Sequence, residues 1–363
     1  MIHSGADSPI FVMATEIEKQ ADSAPLDPKL FNAVECYHRF LQDPDMSTPV
    51  ATFKVFTEFI RCSQAPTMTE FLETLRQVGE TIQDASIYDS NEWKSLNNSR
   101  TRNPHKATIA TLAGIHLFNQ FVRRNSSDFT ELEDLKATLL NGSARILEKA
   151  ASARERVAET GAQFVHDNAV ILVHSYSRTV MNVLQYAANV QNKRFKVYVT
   201  EGRPTSDGLV AVSELQASGI PCAAVLDSAV GFILDKVDMI FVGAEGVVEN
   251  GGIINQIGTY QIALVAKALS KPVYAIAESY KFVRLYPLNQ YDLPSIVPDI
   301  VSFSTRRKSS SNALDLGENH SVDLAMSNPS VDYTPPQYLT LLLTDLGVLT
   351  PSGVSDELIK LYL

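Results

Sequence analysis

Val242-Gly243-Ala244-Glu245-Gly246-Val247-Val248-Glu249-Asn250-Gly251-Gly252-Ile253-Ile254-Asn255-Gln256-Ile257-Gly258-Thr259 is the stretch on which the fold turns. It follows Asp238-Met239-Ile240-Phe241, a short apolar run that reads as a buried strand, and precedes Tyr260 to Leu269, whose apolar spacing predicts a helix. Strand, glycine-rich loop and helix start is how α/β folds gather backbone N–H groups at the carboxyl edge of a sheet. Gly243, Gly246, Gly251, Gly252 and Gly258 would let a ligand approach the backbone closely, and Glu245 and Glu249 add carboxylates. The run matches neither G-x-G-x-x-G nor the P-loop, so a tight crossover that holds nothing fits it as well as a small-molecule pocket.

Outward from this stretch, the period of the chain divides it. From Asn168 on, Ala169–Val173, Phe195–Val199, Cys222–Leu226, Met239–Val242 and Val273–Ala277 are short, β-rich apolar runs separated by helical segments. Such runs predict strands buried on both faces of a parallel sheet, wound by right-handed crossovers. Ligands in these sheets lie beyond the strands' carboxyl ends. The expected pocket wall is therefore His174-Ser175-Tyr176-Ser177-Arg178, Glu201-Gly202-Arg203-Pro204, Asp227-Ser228, Gly243-Ala244-Glu245 and Glu278-Ser279.

Upstream, the apolar residues recur at helical spacing. Leu30 to Leu41 predicts one helix, Ser47-Thr48-Pro49 starts the next, and Thr67-Met68-Thr69-Glu70 resembles a capping box. Ser126-Ser127-Asp128 is expected to cap another, and a long helix is expected from about Ser143 to Val165. The fold class is thus an α/β chain in which an all-α N-terminal unit precedes a Rossmann-like parallel-sheet domain. Its expected divisions are a leader at 1–27, a helical domain at 28–160 and a sheet domain at 161–363, with a flexible excursion at 302–330. Asn91–His105, with Trp93, reads as a polar loop insertion.

Composition narrows the function classes. With 363 residues, 45% of them hydrophobic, the chain can bury a large core. A net charge of −10 disfavours direct nucleic-acid binding. No apolar run approaches the ~18 residues of a membrane span, and the start lacks the pattern of a signal peptide. Cys36, Cys62 and Cys222 are scattered, which argues against disulfides and zinc and for a reducing cytoplasm. No metal or cofactor is expected. Without G-x-G-x-x-G after the first strand, a nicotinamide-dependent oxidoreductase is disfavoured.

The strings "HSYSR", "VYVTEGRP", "VLDSAVG", "VGAEGVVENGGIINQIGT", "AESYKFVRLYPLNQ" and "TDLGVLTPSGVSDELIKLYL" resemble the alpha-subunit family of eukaryotic translation initiation factor 2B, over roughly Asp43 to Leu363. The resemblance implies a non-catalytic regulatory subunit that forms a homodimer. That dimer would bridge two beta–gamma–delta–epsilon tetramers into a decamer and, with delta, help sense the phosphorylated alpha subunit of initiation factor 2. The same fold is shared with isomerases of ribose-1,5-bisphosphate and 5-methylthioribose-1-phosphate, which use a cysteine after the first-strand histidine and an aspartate after "GA". Ser175 and Glu245 stand there in this chain, and Gln256 stands where the family has lysine. A serine hydroxyl lacks the thiol's pKa of ~8.5, and a carboxylate displaced by ~1 Å can lose ~10²-fold in rate. Turnover is therefore not expected, although an active isomerase is the alternative. What is expected is a vestigial pocket for a sugar phosphate or nucleotide monophosphate, formed by His174, Ser175, Arg203, Asp227, Glu245, Asn250, Gly251, Gly252, Asn255 and Gln256. Arg203 is its anion ligand and His174 a hydrogen-bonded floor rather than a base. Lys281, Arg284, Glu249 and Glu278 fit solvated surface positions equally well.

Overall fold

A computed structural model describes residues 31–43, 45–88, 104–126, 129–294 and 328–362. The leader, the polar stretch 91–103 with Trp93, the excursion 302–327 with Arg306-Arg307-Lys308, and the expected cap residues Ser127 and Asp128 lie outside them. Helices come first: α1 (Ala33–Leu41), α2 (Thr48–Cys62), α3 (Met68–Tyr88), α4 (Pro104–Ser126) and α5 (Leu132–Ala162). Their starts follow from local chemistry. The Asn32 side chain accepts the N–H groups of Val34 and Glu35, and Thr67 Oγ1 accepts that of Glu70 at 3.3 Å. Ser47 and Pro49 open α2, the proline standing where no intrahelical N–H is needed. The apolar stripes meet around Phe53, Phe56, Phe59, Phe71 and Phe118, with Phe56 stacked on Phe118 at 4.2 Å.

The sheet half alternates strands and helices: β1 (Val170–His174), α6 (Arg178–Asn189), β2 (Lys196–Thr200), α7 (Gly208–Ala217), β3 (Cys222–Val225), α8 (Val230–Ile233) and β4 (Met239–Val242). After them come β5 (Gly246–Val247), β6 (Ile253–Gln256), α9 (Thr259–Ala268), β7 (Val273–Ile276), β8 (Val331–Thr334), β9 (Leu341–Thr344), β10 (Gly347–Leu349) and α10 (Gly353–Tyr362). The seven-stranded sheet has the order β10-β9-β7-β4-β1-β2-β3, and every neighbouring pair is parallel except β10 with β9. Register places His174 beside Thr200, so the ends of β1 and β2 open at one level.

Several expectations need correcting. β3 is not buried on both faces. It is the sheet's edge, and Ala223 and Ala224 are exposed. The expected glycine-rich loop is largely a hairpin, β5 and β6, which β8 extends into a second, antiparallel sheet. The long helix starts at Leu132, after Glu131, eleven residues before Ser143. Its Leu135 and Leu139 pack among the helices, while Val157 and Ala162 pack against the seven-stranded sheet. One helix thus belongs to both cores.

Candidate functional site

The end of β6 meets the ends of β1 and β2, and four side chains lock there. His174 Nε2 lies 2.9 Å from the carbonyl oxygen of Ile257, which can only accept, so Nε2 carries the proton. Nδ1 then accepts from Thr200 Oγ1 at 2.6 Å, and Thr200 Oγ1 accepts the N–H of Ser175 at 3.2 Å. Ser175 itself is left-handed (φ 55°) and 1% exposed, and its hydroxyl donates to Gln256 Oε1 at 2.7 Å. The Gln256 amide reaches back to Gly202 O at 3.2 Å and Thr205 Oγ1 at 3.3 Å. Gly202 (φ 71°) must be glycine, since a Cβ there would lie 2.5 Å from Ser175 Oγ. The chemistry is that of a closed polar network: a neutral amide, not an imidazole or carboxylate, faces the Ser175 hydroxyl.

Next to this network, Asp227 clamps the turn after β2. Its two oxygens accept the N–H groups of Gly202 at 3.0 Å and Arg203 at 2.8 Å. The Arg203 side chain is two-thirds exposed, with Nε 3.1 Å from a Glu201 oxygen. Glu245 enters the hairpin through its N–H bond to Ile254 O, and its carboxylate has no hydrogen-bond or ion-pair partner among the described residues. Asn255 sits on the strand face opposite Gln256 and donates to Thr259 Oγ1.

Asn250, Gly251 and Gly252 lie elsewhere, at the hairpin turn. Asn250 donates to the Tyr333 hydroxyl and accepts the Gly252 N–H, while the Gly251 N–H donates to Val248 O. Gly251 (φ 82°) passes so close to Pro351 that a Cβ would be 1.9 Å from its carbonyl oxygen. Both glycine N–H groups are thus engaged within the protein.

One carboxylate differs from its expected setting and another was missed. Glu278, at the end of β7, is not solvated: it is 1% exposed and accepts from Arg154 Nε at 3.2 Å, Thr179 Oγ1 at 3.0 Å and the Tyr280 hydroxyl at 2.9 Å. Lys281 Nζ lies 2.9 Å from its other oxygen. Burial alone would raise its pKa, but Lys281 and Arg154 outweigh it and hold the group at about 2. The second is Asp332 of β8, whose Oδ2 accepts the N–H groups of Gly258 at 2.8 Å and Tyr260 at 3.0 Å, at the start of α9. Burial pushes this carboxyl up to about 7, against the pull of those two donors. Its only signal in sequence was the alternation Val331-Asp332-Tyr333-Thr334. Among the described residues, no group of three or more His, Cys, Asp or Glu side chains is placed to hold a metal ion.

This arrangement sits on a sequence whose residues 41–351 match the Initiation factor 2 subunit family. The chain belongs to that family. It is 38% identical to "Translation initiation factor eIF2B subunit alpha" of Dictyostelium discoideum over 88% of this chain and 93% of the relative. It is 32% identical to "Ribose 1,5-bisphosphate isomerase" of Pyrococcus furiosus over 63% of this chain and 67% of that protein. Solved structures share the fold. The tetrameric eIF2B-beta2-delta2 complex from C. thermophilum aligns with a TM-score of 0.67 at 18% identity, over 96% of this chain and 99% of the matched chain. An initiation factor eIF-2B of Pyrococcus horikoshii aligns at 0.60 and 21%, over 88% and 97%. A helical unit followed by a parallel-sheet half is therefore the family's architecture. No described helix is long and apolar enough to cross a membrane.

Proposed function

We propose that this chain is the non-catalytic alpha subunit of the guanine-nucleotide exchange factor for initiation factor 2. In this reading it forms a homodimer that bridges two beta–gamma–delta–epsilon tetramers into a decamer in the cytoplasm. Together with delta, its helical unit senses the phosphorylated alpha subunit of initiation factor 2, which links the chain to the stress response. Family membership supports the setting, and the exposed edge of the sheet carries the assembly role. Ala223 and Ala224 of this edge strand, β3, are exposed, as are Leu226 after it, Leu209 and Val210 of α7, and Phe232 of α8 at 84%. Exposed apolar side chains on and beyond an edge strand are what an interface between copies buries.

The strand-end site favours binding over turnover. Ser175 has an amide for a neighbour, so nothing beside it draws the proton that a base would take. Arg203 remains an exposed foothold for a phosphate, and we expect weak binding there. The isomerase relatives supply the rival reading. It is tested by assaying the purified chain on ribose-1,5-bisphosphate and 5-methylthioribose-1-phosphate. The proposal requires no turnover of either, and rates in the enzymatic range of ~1–10³ s⁻¹ would overturn it.

A further inference from the structure

The first N–H groups of a helix have no partner within it and carry its positive end, which makes a helix start attractive to phosphate. In α9, ten residues long, two of those groups are already used. Asp332 reaches them from 74 residues away and accepts Gly258 N–H at 2.8 Å and, through the same oxygen, Tyr260 N–H at 3.0 Å. The residue is 5% exposed, and its other oxygen is buried with no hydrogen-bond partner. No side-chain cation compensates it among the described residues; burial and the two N–H donors are what act on it. The spot adjoins the strand-end network, since a Cβ on Gly258 would lie 3.0 Å from His174 Cε1.

We propose that Asp332 is a built-in anion that sets the ligand specificity of the strand-end site, filling the start of α9 and turning phosphate away from it. A phosphorylated ligand is then confined to the Arg203 side, where an exposed guanidinium supplies the positive charge that the α9 start lacks. The electrostatics are direct. A phosphate dianion near the α9 start would face an uncompensated carboxylate and find the Gly258 and Tyr260 N–H groups already bonded to it. The inference deepens the reading of this site as a weak anion site and is independent of the assembly role.

The test titrates inorganic phosphate into the full-length chain at pH 8 and constant ionic strength, with thermal melting as the readout. The set comprises the parent, Arg203→Ala, Asp332→Ala and the double variant. Asp332→Ala is expected to bind phosphate about tenfold more tightly than the parent, the scale of one charge-assisted hydrogen bond. That gain should persist in the double variant, and formate should also raise the melting temperature of Asp332→Ala where chloride does not. A folded Asp332→Ala chain that ignores phosphate overturns the proposal, as does a gain that disappears when Arg203 is removed. Should Asp332→Ala not fold, the neutral, isosteric Asp332→Asn takes its place: a phosphate response stronger than the parent's supports the proposal, and an equal one overturns it. The Arg203 reading fails separately, when parent and Arg203→Ala respond alike.

Discussion

Ser175 and Gln256 show how two substitutions visible in sequence acquire meaning only as a pair. Each was legible as a departure from the isomerase pattern, but that the amide bonds the hydroxyl depends on a contact across 81 residues. Glu278 was legible as a strand-end residue but its partners were not, for the same reason: Arg154 lies 124 residues away, and no spacing rule connects them. Glu278 and Asp332 both make predictions. Glu278→Gln leaves Arg154 and Lys281 facing a neutral group in a buried setting, so a loss of about 3–5 kcal/mol at pH 7 is expected in denaturant unfolding. Because the folded pKa is depressed to about 2, this contribution is present above the ordinary carboxyl value and fades as pH falls from about 4.5 to about 2. The parent and variant curves should converge over that window; a constant gap across it would contradict the assignment. Asp332 has the opposite sign. Its folded pKa of about 7 lies above the ordinary ~3.9, so its proton-linked stability is full below pH ~4 and is lost as pH rises through 7. Asp332→Asn lacks that loss and should gain on the parent by a few kcal/mol, on the order of the pKa displacement, between pH 4 and 8. Melting curves whose difference stays flat over this range would refute it.

At the scale of elements, the parallel strands were legible because each is a short apolar run, and β1, β2, β4 and β7 are indeed lined by core residues. β3 looked the same in sequence yet is half exposed, since an apolar run does not say whether a sheet neighbour or another molecule covers it. The second sheet was hidden for a different reason. β5 has two residues, β6 ends in Asn255-Gln256 and β8 carries Asp332, so none displays the apolar signature of a strand. Hydrogen bonding across the hairpin joins its strands, and Val247, Ile253, Ile254, Val331 and Tyr333 bury them in the core. The exposed edge predicts that Phe232→Asp disrupts self-association. Sedimentation at micromolar concentration should show a dimer of about 80 kDa, twice the 39.9 kDa chain, for the parent and a monomer for the variant. A parent that stays monomeric, or a variant that dimerises equally, would remove this face as the interface.

For the whole molecule, α5 ties the halves together. Its start packs among the helices and its end lies on the sheet, while Arg154 and Arg156 of the same helix reach Glu278 at 3.2 Å and Asp345 at 3.6 Å. Arg178 at the start of α6 also donates to Met46 O, ahead of α2. The helical unit is therefore held against the carboxyl edge of the sheet by ion pairs and hydrogen bonds from Arg154, Arg156 and Arg178. The sequence made this two-part architecture readable through its change of period near Asn168, but the joint between the parts was not, because it consists of side chains far apart in the chain. The proposed role of the chain is that of a bridge. Its most direct test is the mass of the complex that forms when beta, gamma, delta and epsilon subunits are mixed with and without this chain. One copy of each of the four subunits is expected in its absence, and a particle holding two copies of each, joined by two copies of this chain, in its presence. An unchanged mass after addition, with this chain eluting alone, would contradict it.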